Sequence, residues 1–429
     1  MIQLQSPPPL AEPVRLESPA MQEQSWLEVD LARLERNAAA IRRFAAEPAE
    51  PFAGRRRTPI VCASVKKDGY GLGAGAMSHR LVKAGCGVLA VYSPAEAEKL
   101  AERGLTVPIL VLMPVDRIGR TDALYRPAVA ERLHLLVHDE QQLRSLNQTG
   151  QTLGIRLPVH LYVDTGMARG GLSVEQFHDL VRRGREFRHV RWAGVCSHLA
   201  TGATDADFVQ EQHQRFHQAV DEVAGLLPDD CLRHLANSFG TLRDAATHFD
   251  MIRPGLALLG YAAELIEGPT AVDAPTLEPV ARWMSRVVHV QRYPRRTPVG
   301  YGSTHKLKRE SVLGVVPVGY ADGYPVALSN KASVRVRATV DSAGPAHRIR
   351  AETATDCRVL GQVNMDQIVI DLTDVPCEEI ADLKGRAVEV YGREPGASHS
   401  LPRLAEQAKT HVYELLCRIS PSVKRVYLQ

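Results

Sequence analysis

The sequence predicts an α/β fold, a (β/α)8 TIM-type barrel followed by a mostly antiparallel β-domain. Three observations carry that prediction. Between Trp26 and about Pro254, short apolar runs of strand length alternate with helical stretches. Polar residues recur where those runs end: Lys66, Asp164, His198, Asn237 and Arg253. After about Thr270 the chain turns to Val- and Ile-rich segments bounded by Gly, Pro and Asp.

The elements follow in order. Asp30 is an N-cap type, and Leu31, Leu34, Ala38 and Ile41 behind it have helical spacing. Residues 59–65, 88–92, 107–113, 159–163, 190–197, 232–236 and 251–252 read as buried strands. Helices are expected near 76–83, 94–103, 174–187 and 205–226. Buried strands separated by helices imply a parallel sheet, and about eight such units suit a closed barrel of roughly 250 residues. A doubly wound open sheet is the alternative. In a barrel the C-terminal strand ends share one face, so those five polar residues would gather in one site. Beyond the barrel, segments 280–293, 311–318, 332–340, 356–363, 367–372 and 387–391 read as strands, and 401–420 as helical. Glu267–Leu277 is the linker candidate. The expected organisation is a disordered Pro-rich tail at 1–24, the barrel at 25–270 and the β-domain at 271–429.

Bulk composition excludes several classes. A chain of 429 residues is long for one domain and comfortable for two. A net charge of +3 and 5% aromatics give neither the basic field nor the stacking surface of a nucleic-acid binder. The seven cysteines form no CxxC pair and read as buried small hydrophobes. No run approaches the ~18 apolar residues that span a bilayer, and the start lacks a secretory pattern. A cytoplasmic protein without a membrane partner is expected.

The chemistry begins at Ser64-Val-Lys-Lys-Asp-Gly-Tyr-Gly-Leu-Gly73. A lysine at the end of a buried strand is pushed toward its neutral, nucleophilic form, which condenses with aldehydes. Alone, it reads more readily as an ordinary exposed lysine at a strand end beside Lys67. The glycines at 69, 71, 73 and 75 match neither the dinucleotide nor the P-loop spacing. The second segment, His160-Leu-Tyr-Val-Asp-Thr-Gly-Met-Ala-Arg-Gly-Gly171, ends a strand in Asp-Thr-Gly and then presents Arg169. Further segments follow in order: Gly194–His198, Ala236–Ser238, Met251–Gly255, Gly300–Gly302, Val318–Pro325, Asn364–Asp366 and Arg425–Tyr427. Together, from about Trp26 to Tyr427, these segments resemble the alanine racemase family, with its cofactor lysine in V-K-x-x-x-Y-G-x-G and its arginine in V-D-T-G-M-x-R-x-G.

The resemblance implies an enzyme that uses pyridoxal 5'-phosphate to interconvert L- and D-alanine, supplying D-alanine for cell-wall peptidoglycan. It implies a head-to-tail homodimer with shared active sites. Lys66 would hold the cofactor and act as a base on one face of the substrate carbon, with Tyr301 of the partner subunit on the other. Arg253 would face the pyridine nitrogen, and because arginine keeps its proton that nitrogen would stay unprotonated. His198 would lie beside Arg253 and Tyr301. Tyr70, Ser238, the backbone N–H groups of Gly255 and Leu256, and Tyr427 would hold the phosphate. Arg169 would contact the cofactor's phenolic oxygen and the substrate carboxylate. Met365 would offer that carboxylate a backbone N–H, and Tyr320 would line the mouth of the site.

Two positions depart from the pattern. Many members have a carbamylated lysine where Tyr162 stands, so another group must position Arg169. Asn364 occupies a place often filled by cysteine beside the substrate side chain; its donor and acceptor favour a hydroxyl, which keeps serine or broad specificity open beside alanine. Two rivals share parts of the plan. Fold-related amino-acid decarboxylases set a carboxylate against the pyridine nitrogen, which Arg253 argues against. Single-domain proteins that bind the cofactor without turnover lack the β-domain. His160, His198 and His234 lie on separate strands without metal-ligand spacing, so no metal is expected.

Overall fold

The structure, a computed structural model, describes residues 24–46, 58–342 and 349–429, and the side chains among them except those of 338–353. The tail expected at 1–24 lies outside the described residues, save Gln24.

Seven strands pair in parallel and in sequence order: Ile60–Ser64, Val88–Val91, Ile109–Val111, Leu133–Val137, Leu157–Tyr162, Val190–Cys196 and Leu232–His234. An eighth, Met251–Ile252, pairs back onto Ile60–Ser64. The ends of this eight-stranded sheet meet: Asp250 N–H donates to the Arg233 carbonyl at 2.9 Å and Arg253 N–H to the Ala236 carbonyl at 2.9 Å. The sheet is therefore a closed barrel, not an open doubly wound one. Side chains alternate across each strand. One set, including Val61, Ala63, Leu89, Val91, Leu135 and Leu161, joins the main core under the helices. The other, including Cys62, Val88, Ala90, Leu110 and Met251, forms a separate buried cluster that fills the barrel.

Local signals place the helices. Asp30 Oδ1 accepts the Arg33 N–H at 2.9 Å and opens the helix Leu31–Ala46, whose buried stripe is Leu31, Leu34, Ala38, Ile41 and Ala45. Ser93 and Glu96 form a capping box before Pro94–Ala101, and Ser173 with Gln176 does the same before Val174–Arg182. Asp205 caps Ala206–Asp221. The strand Leu133–Val137 and the helix Glu140–Leu153 were not foreseen, although Asp139 caps that helix and Gly154 closes it at φ 72. Its buried face includes Gln142 and Thr149, which blunts the apolar periodicity.

The second sheet has nine strands. In spatial order they are His289–Tyr293, Ser311–Val316, Ile368–Asp371, Ile349–Leu360, Ser333–Ser342, Ala387–Tyr391, Ala281–Arg286, Ser25–Asp30 and Lys424–Leu428. Ladders within it are antiparallel except the last, where Ser25–Asp30 runs parallel to Lys424–Leu428. The first described strand thus lies in the second sheet, just before the first helix of the barrel. A separate two-stranded hairpin, Pro298–Val299 with His305–Lys306, carries Tyr301 in its loop. The helix expected at 401–420 is two helices, Leu401–Ala408 and Val412–Arg418. Lys409 at φ 56 ends the first, and the Thr410 N–H turns back to the Ala405 carbonyl at 2.9 Å.

The barrel seam is fixed by a buried ion pair: Arg233 Nε donates to Asp250 Oδ2 at 2.8 Å, with side chains 9% and 4% exposed. Asp250→Ala strips this guanidinium of its carboxylate and should destabilise the fold by about 3–5 kcal/mol. Urea unfolding followed by tryptophan fluorescence checks it; an unchanged midpoint would exclude a structural role for the pair.

Candidate active site

The first barrel strand ends at Ser64, and Lys66 follows. The next four residues, Lys67, Asp68, Gly69 and Tyr70, all have positive φ, at 53, 53, 63 and 60°. A left-handed turn costs non-glycine residues about 1–2 kcal/mol each, so the surroundings must enforce it. Gly69 N–H donates to the Val65 carbonyl at 2.8 Å, Gly73 N–H to the Asp68 carbonyl at 2.8 Å, and Ala74 N–H to Asp68 Oδ1 at 2.9 Å. The turn swings Tyr70 back to the strand end, where its hydroxyl donates to Ser64 Oγ at 3.1 Å.

The closing strand brings a second group alongside. Gly255 N–H and Ala257 N–H both donate to Ser238 Oγ, at 2.8 and 3.1 Å. Asn237 caps the helix that Ser238 begins, accepting from Phe239 and Gly240 N–H at 3.1 Å each. A Cβ on Gly255 would lie 2.1 Å from the Tyr70 hydroxyl, so only glycine lets the two approach. Ser64, Tyr70, Ser238 and Gly255 thus form one polar cradle.

Arg253 lies across from it. Its Nη1 donates to His234 Nδ1 at 2.6 Å, and its Nη2 donates to the Ser197 carbonyl at 2.7 Å, to the Leu235 carbonyl at 3.3 Å and to His198 Nδ1 at 3.3 Å. A guanidinium can only donate, so both imidazole nitrogens are acceptors. Burial, then the charges of Arg253, Arg169 and Lys66, hold His198 well below the usual histidine range, so it is neutral. Burial first, then Arg169, lowers the Lys66 amine as well.

Arg169 sits on an exposed loop organised by Asp164, whose Oδ1 accepts from Gly166 and Met167 N–H at 2.9 and 2.8 Å and whose Oδ2 accepts from Ala168 N–H at 3.0 Å. Among the described residues the Tyr162 hydroxyl is buried without a hydrogen-bond partner. Its ring packs edge-on against His138, with centroids 5.3 Å apart.

Lys66, Tyr70, Arg169, His198, Ser238, Arg253 and Gly255 line one cavity of about 860 Å³. Leu256 is fully buried beside Gly255. Tyr427 lies outside the lining; its hydroxyl donates to the Leu72 carbonyl at 3.2 Å. Tyr301, Tyr320, Asn364 and Met365 do not reach this cavity within one chain. Three of them gather on the β-domain, where Tyr320 N–H donates to the Asn364 carbonyl at 2.9 Å and Ala321 N–H to the Met365 carbonyl at 3.0 Å. Tyr301 is 71% exposed and Met365 53%. Sequence reasoning missed Tyr92, the loop 199–204, Tyr413 and Cys417, which also line the cavity. Tyr413 comes from the helix Val412–Arg418 and packs on Tyr70, with ring centroids 5.6 Å apart; no local signal could place it there.

Two family models match the chain in tandem: the alanine racemase N-terminal domain over residues 29–263 and the alanine racemase C-terminal domain over 280–427. The chain belongs to the alanine racemase family. The alanine racemase of Symbiobacterium thermophilum is 33% identical over 94% of this chain and 97% of its own length. That of Nostoc is 32% identical, with 94% and 96% covered. Among solved structures, the Streptomyces lavendulae alanine racemase superposes with a TM-score of 0.77 at 25% identity, over 95% of this chain and 98% of its own. The Streptomyces coelicolor enzyme gives 0.75 at 28%, with the same coverage.

In this family member the Lys66 amine should lose its proton below the pH at which exposed lysines do. Reductive methylation of cofactor-free protein across pH, read by mass spectrometry, measures this. Arg169→Ala removes a neighbouring positive charge, so the Lys66 midpoint should move up. A midpoint equal to that of surface lysines would remove the electrostatic account.

Proposed function

We propose that this chain is a pyridoxal-phosphate-dependent alanine racemase that supplies D-alanine for cell-wall peptidoglycan. The observation that carries the reading is the polar cavity itself. A neutral-prone lysine, a hydroxyl cradle and two arginines, Arg169 and Arg253, surround it. That set fits the cofactor: an amine for its aldehyde, the cradle of Tyr70, Ser238 and Gly255 for its phosphate, and a fixed cation for its ring nitrogen. The cradle is shaped by an approach that a single Cβ would block. Family membership over nearly the whole chain supports the same cofactor.

When bound, the cofactor supplies an electron-withdrawing ring that acidifies the substrate Cα–H. Lys66 Nζ holds or removes a proton on one face of that carbon. The partner subunit's Tyr301 serves the opposite face, because inversion needs a proton removed from one side and returned from the other. His198, neutral beside Arg253, keeps that end of the cavity from gaining a further charge. Arg169 orients the substrate carboxylate, and the partner subunit's Met365 offers it a backbone N–H. Leu256 N–H and Tyr427 complete the phosphate end, and the partner subunit's Tyr320 narrows the mouth. The exposure of Tyr301, Tyr320 and Met365 supports a homodimer with shared active sites.

One observation favours serine or broader specificity as a second reading. Among the described residues Asn364 Oδ1 has no hydrogen-bond partner, so this amide, which can both donate and accept, has an oxygen committed to no other group.

Incubating the enzyme with L-alanine or L-serine in heavy water separates these readings: deuterium should enter both enantiomers, faster for the true substrate. Exchange without inversion, or release of carbon dioxide, would overturn the racemase reading. Lys66→Ala should abolish turnover. Tyr301→Phe should slow one direction of proton transfer more than the other in the isotope-exchange asymmetry. Mixed dimers of these two variants should regain activity, and verified heterodimers without recovery would exclude shared sites.

A further inference from the structure

Arg253 is the top of a longer structure. His234 Nε2 lies 2.8 Å from His160 Nδ1, and His160 Nε2 lies 2.8 Å from His134 Nδ1. A backbone hydrogen bond at Glu131 ends the string. The three rings come from barrel strands Leu232–His234, Leu157–Tyr162 and Leu133–Val137, and they are 0%, 1% and 7% exposed. His134 and His160 do not line the active-site cavity.

The string is a built feature. His160 and His234 are not sheet neighbours, because the strand Val190–Cys196 runs between theirs. Their rings meet over Gly194, where a Cβ would lie 2.3 Å from His160 Nδ1. The register between the strands of His160 and Gly194 shifts at Val159/His160, which sets the histidine opposite the glycine.

Hydrogen-bond bookkeeping fixes every proton. Arg253 Nη1 must donate, so His234 Nδ1 accepts and its proton sits on Nε2. That proton points at His160 Nδ1, which therefore accepts, and the same step repeats at His134. The reverse order, or a second proton on any ring, sets two donors face to face. Burial and the charges of Arg253 and Arg191 also keep all three rings neutral, with His134 pushed down to about 4. Arginine does not release its proton, so the string ends in a fixed donor and cannot carry protons to the cavity.

We propose that His134, His160 and His234 are positioning residues, a string of one tautomeric order that locks the rotation of the Arg253 guanidinium against the cofactor ring. The proposal rests on the reading of the site given above, but its structural arm does not. Neutron diffraction from crystals of deuterium-exchanged holoenzyme should place deuterium on Nε2, and none on Nδ1, of all three rings. Deuterium on any Nδ1 overturns the order, whatever the enzyme's substrate.

The functional arm uses the outermost ring, remote from the cavity. His134→Leu leaves the His160 N–H without its acceptor and should lower kcat by about 10-fold with KM for alanine within about twofold. His134→Asn returns an oxygen acceptor close to the Nδ1 position and should restore most of kcat. Gly194→Ala should sever the string from the other side with the same signature. Wild-type kcat in His134→Leu, or equal losses in the Leu and Asn variants at equal thermal stability, overturns the positioning role. If the loaded wild-type enzyme racemises no amino acid but the deuterium pattern holds, the reading of the site fails and the string stands.

Discussion

The site depends on a guanidinium held by neutral acceptors. Arg253 donates to the carbonyls of Ser197 and Leu235 and to the imidazoles of His198 and His234. A carboxylate would bind it more strongly but would cancel its charge. Neutral partners fix its direction and leave the full positive charge facing the cavity. That arrangement holds only while the histidines stay unprotonated, and burial beside the cation ensures it. Arg253 also lies on the seam that closes the barrel, where it bridges to Asn237.

The same economy appears at the other end of the cavity. The left-handed turn after Lys66 is expensive for three non-glycine residues, yet it returns Tyr70 to the strand it left. The cradle it makes with Ser238 and Gly255 is assembled from chain segments nearly two hundred residues apart in sequence, joined only because the barrel closes. The C-terminal helix Val412–Arg418 then covers this end through Tyr413. Barrel and β-domain are therefore coupled at the site, and the parallel pairing of Ser25–Asp30 with Lys424–Leu428 draws the two ends of the described chain together beside it.

Much of this was legible in the sequence. Buried strands are short apolar runs, and capping residues such as Asp30, Ser93 and Asp205 mark helix starts because the unpaired N–H groups there need acceptors. Strand-end positions for Lys66, Asp164, His198 and Arg253 follow from where each run stops. Leu133–Val137, apolar except for His134, has the same pattern as the strand that holds His160 and was readable from the sequence. The other miss has a physical cause. The break at Lys409 depends on a non-glycine residue accepting φ 56, a choice that only the packing of both helices explains.

The sequence by itself determined the barrel, the following β-domain and the strand ends on which several cavity-lining residues fall, because strand and helix periodicity and cap chemistry act over a few residues. Tertiary structure alone decided which side chains meet. His160 and His234 read as unrelated histidines on separate strands until Gly194, on the strand between them, is seen to let their rings touch. Contact across an intervening strand requires the closed barrel, and no spacing along the chain encodes it.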